Sequence, residues 1–192
     1  KLGMLEDSIK ILTEAGYHYV GMDHFAKPED SLAQAQVQGK LHRNFQGYTT
    51  HDDCDLVAFG VSSISQVGDA YFQNSANIEE YMESLTKDVL PIKRGVILTA
   101  EDDLRRAVIK QLICHFELDY SQIEQAFNMD FKAHFADELL SLAPYVKDEL
   151  VILDDNGIKV TNKGGLLIRN ICMAFDAYLA RPNHSVRYSK VI

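Results

Sequence analysis

Apolar residues Leu5, Ile9 and Leu12 recur at spacings of four and three, which places them on one face of a helix. Gly16 stands where such a helix stops. Tyr17 to Met22 alternates in the manner of a strand, and Ser31 to Gln38 predicts a second helix closed by Gly39. A polar loop runs through Gly47. The apolar run Asp55 to Val61 then predicts a buried strand, and Ile78 to Val89 a third helix that ends before Pro91. Alternating helices and strands in this order predict a parallel sheet with covering helices.

The pattern changes near Gly95. Thr99 to Asp102 resembles an N-cap with an acidic third position, and the helix behind it carries Leu104, Val108, Leu112 and Phe116 on one face. Ser121 to Glu124 spells a capping box before a short helix, and Phe131, Phe135 and Leu139 mark another. Val151 to Val160 reads as a hairpin turning at Asn156-Gly157, a pair that tolerates the positive φ of a tight primed turn. Thr161 caps a last helix running to about Leu179. Two segments result: residues 1–97 are α/β, and residues 98–192 are mainly helical with a hairpin, a winged-helix-like arrangement.

Composition narrows the function classes. The net charge of −9 disfavours nucleic acid and anionic membrane as partners of the whole chain. No apolar run approaches the roughly 18 residues of a membrane span. From Asn156 onward the sign reverses, with Lys159, Lys163, Arg169, Arg181, Arg187 and Lys190 facing only Asp176. Read alone, that second segment suggests a winged-helix nucleic-acid-binding module; its acidic remainder and sparsely basic final helix argue against it. Three scattered cysteines, Cys54, Cys114 and Cys172, match no zinc or iron–sulfur spacing. An odd count with no secretory signal predicts reduced thiols and a cytoplasmic protein. His51-Asp52-Asp53-Cys54-Asp55 has ligand residue types, yet neighbours along a chain point in alternating directions and rarely chelate one ion. A turn with capping acids is the better reading. The chain opens on Lys1 directly into helical periodicity, which predicts a piece cut from a longer polypeptide.

Three phrases combine glycine with polar and aromatic residues where apolar runs end: Gly21 to Ala26, Arg43 to Thr50, and Gly60 to Ser65. Such rims suit a ligand. Gly-Met-Asp-His-Phe-Ala, Arg-Asn-Phe-Gln-Gly-Tyr-Thr-Thr and Gly-Val-Ser-Ser-Ile-Ser together resemble the oxygen-independent coproporphyrinogen III oxidases, a radical S-adenosylmethionine family, and are close to its enterobacterial members. The resemblance covers the whole chain. It implies the last βα units of a partial TIM-like radical S-adenosylmethionine barrel followed by the C-terminal domain. The implied reaction is oxidative decarboxylation of two propionates of coproporphyrinogen III to vinyl groups, giving protoporphyrinogen IX. It also implies S-adenosylmethionine, a 4Fe–4S cluster, an electron donor and a monomer. The family's CxxxCxxC cluster motif and its glycine-rich cofactor phrase are absent from these residues, so the chain by itself is expected to be inactive.

By the same resemblance, Ile64 lies against S-adenosylmethionine, while Phe45 and Gln46 belong to a functionally sensitive loop. Arg43, His24 and Tyr48 follow from a physical argument instead. The substrate carries carboxylates, and an acidic protein needs local donors to hold them. Asp23 either orients His24 or caps the following turn. A haem-binding, chaperone-like relative of the same family is the alternative, with the Arg43 to Thr50 string favouring the dehydrogenase.

Overall fold

The computed structural model describes residues 2–51 and 54–179. In chain order its elements begin with α1 (Leu2–Glu14), β1 (His18–Gly21), β2 (His24–Ala26), α2 (Ser31–Val37), β3 (His42–Asn44) and β4 (Gly47–Thr49). There follow β5 (Ile64–Val67), β6 (Ala70–Asn74), α3 (Ile78–Thr86), β7 (Ile92–Ile97) and α4 (Ala100–His115). The remainder comprises β8 (Glu117–Asp119), α5 (Tyr120–Phe127), α6 (Phe131–His134), α7 (Ala136–Ser141), α8 (Ala143–Lys147), β9 (Val151–Leu153), β10 (Gly157–Val160), α9 (Asn162–Gly165) and α10 (Ile168–Met173).

By packing, the chain forms two compact units, one of residues 1–43, 48–50 and 104–192 and a second of residues 44–47 and 51–103. Residues 1–43 and 48–50 therefore pack with the C-terminal helices, across the compositional break near Gly95.

In the first unit, β1 and β2 form an antiparallel hairpin, and Val20 and Ala26 pack with Ala33, Leu41 and Tyr48 in a small core. The larger core gathers Phe131, Phe135 and Phe175, all fully buried, with Leu112, Ile158 and Ile171. β8, β10 and β9 form a three-stranded antiparallel sheet in that order. α4 opens with a reciprocal capping box: Asp102 N donates to Thr99 Oγ1 at 3.2 Å, and Thr99 N donates to Asp102 Oδ2 at 2.9 Å. Arg105 meets Glu138 at 2.8 Å, both largely buried, and also donates to the Phe175 carbonyl at 3.0 Å. This anchors α4 to α7 and to the chain beyond α10. The second unit is an antiparallel sheet, β5-β6-β7, with α3 between its last two strands in sequence.

Several expectations change. The described strand pairs are antiparallel, so β1 serves a hairpin instead of a parallel sheet. Asp55 to Val61 is no buried strand: only Leu56 bridges, to Gln66, while Val57 and Phe59 are 59% and 88% exposed. Asp119, where β8 ends, caps α5 in place of Ser121, and its carboxylate accepts from Ser121 N at 2.9 Å. The helix expected around Phe131 to Leu139 breaks at Phe135, and the one after Thr161 breaks at Leu167. The Asn156-Gly157 turn has no positive φ. Its amides instead donate to Asp154 Oδ1 at 2.7 and 2.9 Å. Gly157 is required by space, since a Cβ there would run into the Leu118 carbonyl of the adjacent strand. Arg181, Arg187 and Lys190 lie outside the described residues.

Gly157→Ala should therefore cost about 1–3 kcal/mol, because the sheet must open to admit a methyl. Gly3→Ala in α1, where the methyl meets nothing within 4 Å, should be neutral or stabilise by up to about 1 kcal/mol. Thermal melts of the two variants check this, and equal midpoints would contradict the β8–β10 packing.

Candidate functional site

The first rim phrase becomes the β1–β2 hairpin, whose register brings Gly21 opposite His24 across the two loop residues Met22 and Asp23. Met22 sits at φ 57, a left-handed conformation that costs a non-glycine residue about 1–2 kcal/mol. Its side chain packs against the larger core, which offsets that cost. The turn presents His24 and Asp23 together: His24 Nδ1 lies 2.8 Å from Asp23 Oδ1, near enough to pair electrostatically though not aligned as a hydrogen bond.

Tyr48 on β4 joins them. Its ring stands edge-to-face with His24 at 5.1 Å between centroids and an interplanar angle of 84°. The Arg43 guanidinium lies over the same ring, 4.7 Å from its centroid. Arg43 Nη1 is buried and finds no hydrogen-bond partner among the described residues. An unmet buried donor is costly, about 1–3 kcal/mol and more for a charged group. The three residues inferred from the charge argument, His24, Arg43 and Tyr48, are thus brought together.

The Tyr48 hydroxyl faces inward and donates to the Ile113 carbonyl at 3.2 Å. Burial raises its pKa well above the usual phenol value. Gly21 supplies the space: a Cβ there would lie 2.5 Å from Tyr48 Oη and 3.2 Å from the Phe116 ring. Sequence reasoning missed Ile113 and Phe116. Neither carries a local signal, although Phe116 at φ 58 occupies a helix end that glycine usually takes.

Phe45, Gln46 and Ile64 belong to the second unit. Phe45 is half-exposed and meets Tyr71 edge-on at 5.1 Å; Gln46 is exposed, its amide donating to Asn44 Oδ1 at 2.8 Å. Ile64 opens β5, opposite Gln73, while Gln66 stands opposite Tyr71. Residues paired across strands share a face, as do residues two apart. Ile64 and Tyr71 therefore lie on one face of the sheet, the face Phe45 packs against. The rest of the Gly60 to Ser65 phrase is a hydrogen-bonded turn: Ser63 Oγ donates to Gly60 O at 2.8 Å, and Asn74 Nδ2 donates to Gly60 O at 3.0 Å.

A separate cavity of about 560 Å³ in the first unit is lined by Tyr19, Phe116, Lys10, His18 and Asn162 among others, and by none of the site residues inferred from sequence. Asp55, within the former metal candidate, accepts from the Gly68 amide at 2.9 Å.

Residues 98–167 match the HemN C-terminal domain. The chain is similar throughout its length to the C-terminal part of several oxygen-independent coproporphyrinogen III oxidases. It is 50% identical to the oxygen-independent coproporphyrinogen III oxidase of Escherichia coli and 53% identical to that of Pseudomonas aeruginosa, in each case over 100% of this chain and 42% of the relative. The structure superposes with a TM-score of 0.87 on coproporphyrinogen III oxidase (HemN) from Escherichia coli, described as a radical SAM enzyme, at 53% identity and covering 93% of this chain and 41% of that one. The chain thus spans less than half the length of these relatives.

The thiols are clearly sorted. Cys54 is exposed, whereas Cys114 and Cys172 are buried, and burial, then Cys114, pushes the Cys172 thiol up to about 12. An aromatic disulfide reagent should titrate Cys54 alone in the folded chain and all three cysteines in denaturant. Rapid reaction of Cys172 in the native state would contradict this packing.

Proposed function

We propose that this chain is the C-terminal part of an oxygen-independent coproporphyrinogen III oxidase, serving the oxidative decarboxylation of two propionates of coproporphyrinogen III to vinyl groups. The observation that carries the reading is 50% identity to the Escherichia coli enzyme across every residue of this chain. In this reading residues 1–97 belong to the barrel portion of the enzyme, with α1 and β1 as its last helix–strand step and the antiparallel β5-β6-β7 sheet no part of a parallel barrel. Residues 98–192 are a winged-helix-like domain, supported by the succession of helix, strand, helices and hairpin with β8 joining that hairpin. Arg43 takes a propionate carboxylate through its unpaired Nη1, and His24, balanced by Asp23, adds a second donor. Ile64 gives the adenine of S-adenosylmethionine an apolar surface, and Phe45 on the same sheet face closes over the macrocycle with Gln46 beside it. The protein works as a cytoplasmic monomer fed by an electron donor. Among the described residues no helix is long and apolar enough to cross a membrane.

S-adenosylmethionine supplies the radical chemistry of this family, and the cluster that activates it does not fit the residues here. The three cysteines are split between surface and core, and among the described residues no group of three His, Cys, Asp or Glu side chains is placed to hold a metal ion. No step is assigned to a cluster on this chain. Incubated anaerobically with iron and sulfide, the 192-residue chain is expected to gain no cluster absorbance; stable uptake of four irons per chain would overturn this assignment.

The nucleic-acid reading loses support, since Lys163 Nζ donates to the Asp148 carbonyl at 3.1 Å instead of standing free on a groove-reading surface. The carboxylate assignment is tested in a hybrid in which this chain replaces the C-terminal part of the Escherichia coli enzyme. Arg43→Ala should raise the substrate KM about 10-fold or more, the worth of one charge-assisted hydrogen bond. An unchanged KM would end Arg43's role.

A further inference from the structure

Tyr48 stands at the centre of this cluster, yet it has nothing left to offer a ligand through its hydroxyl. That group's single hydrogen goes to the Ile113 carbonyl at 3.2 Å, and the residue as a whole is only 9% exposed. What remains is the ring. One partner lies over it, the Arg43 guanidinium at 4.7 Å; the other meets it at a right angle, the His24 imidazole at 5.1 Å. Stacking suits Arg43 in particular. A planar guanidinium laid over a ring keeps its in-plane N–H groups pointing outward, whereas a partner binding those N–H groups would consume them. Arg43 Nη1 has no partner among the described residues.

The ring is held from behind by two features. The first is the bond to Ile113, on the last turn of α4. The second is the notch at Gly21, where any Cβ would stand 2.5 Å from Tyr48 Oη. Gly21 also sits at φ 143, outside the range of ordinary side-chain-bearing residues. Hairpin, β4 and α4 therefore converge on one phenol.

We propose that Tyr48 is a positioning residue, a buried platform that holds Arg43 and His24 in place for a carboxylate-bearing ligand, with Gly21 as the notch that lets its hydroxyl reach Ile113. The proposal rests on the reading of Arg43 as a carboxylate holder and goes beyond it, because it removes Tyr48 from the groups that touch the ligand and makes Gly21 part of the same device. A tyrosine that merely fills the core would tolerate any apolar residue of similar size. A platform requires a flat ring.

Two measurements on the full 192-residue chain separate these possibilities. The first is the nuclear magnetic resonance shift of the Arg43 side chain, which a ring face displaces upfield. Tyr48→Phe should keep that displacement, and Tyr48→Leu and Gly21→Ala should abolish or greatly reduce it. Loss in Tyr48→Phe, or retention in Tyr48→Leu, overturns the proposal whatever the ligand. The second is fluorescence titration with coproporphyrin III, a tetracarboxylate probe. Tyr48→Leu should weaken binding about as much as Arg43→Ala, on the order of 10-fold. The double variant should be no weaker than Arg43→Ala alone, and Tyr48→Phe should bind within about threefold of the parent, at most about half of that energy. Additive losses would show that Tyr48 acts on its own and overturn the proposal. Should Arg43→Ala leave the affinity unchanged, the carboxylate reading fails instead, and the resonance shift alone decides whether the ring positions Arg43. Thermal melts of each variant confirm that the comparison is made on folded protein.

Discussion

The first unit turns on the side chain of Gln36. Its Nε2 donates to the Val20 carbonyl and to the Cys114 carbonyl, both at 2.7 Å, and its Oε1 meets His18 Nε2 at 2.6 Å. One half-buried amide thereby ties α2, β1 and the end of α4, residues nearly eighty positions apart. Every hydrogen-bonding group of that amide in these contacts is matched, which is what makes a polar group in such a place stabilising. Tyr48 adds a parallel link, from β4 to the neighbouring carbonyl of Ile113. These two side chains give the physical reason that residues 1–43 pack with residues 104–192. A break in composition near Gly95 says where the amino-acid usage changes, but it does not say which surfaces meet.

Helices were the legible part of this chain, because an apolar face repeats locally. α1, α2, α3 and α4 all lie where the spacing placed them, and the Thr99 box caps as spelled. Strands were less legible because their partners are not local. β1 was visible in Tyr17 to Met22, but its partner β2 is three residues long and hidden in a phrase that read as a loop. The run Asp55 to Val61 has the composition of a core strand, yet only Leu56 finds a bridge, and the exposed side chains of Val57 and Phe59 show that apolar content alone does not pair a strand. At α5 the capping spelling at Ser121 gave way to Asp119, the residue at which β8 ends.

The candidate site divides in the same way. Residue type and charge sufficed to gather His24, Arg43 and Tyr48, since an acidic chain has few ways to hold a carboxylate. The support behind them had no signature. Ile113 contributes only a backbone carbonyl, and Gly21, marked in the sequence as the start of a rim phrase, shows its packing role only through the hydroxyl pressing on it. Phe45 and Ile64 lie far apart in the chain, and their common face emerges only once the β5–β6 register is known.

The two units carry different kinds of surface. The second unit offers flat or apolar groups: Ile64 and Tyr71 on one sheet face, with Phe45 across it. Such groups recognise a ring system but cannot choose between a neutral and a charged substituent. The first unit offers fixed polarity, a guanidinium partly withdrawn from water and an imidazole beside a carboxylate. Desolvation raises the cost of leaving that guanidinium unpaired, so the discrimination it confers is larger than that of an arginine in bulk water. A lysine in its place would lose the stacking surface and the fork at once. The selectivity for a carboxylate-bearing ring, in this reading, is thus built from how firmly one arginine is held as much as from its charge.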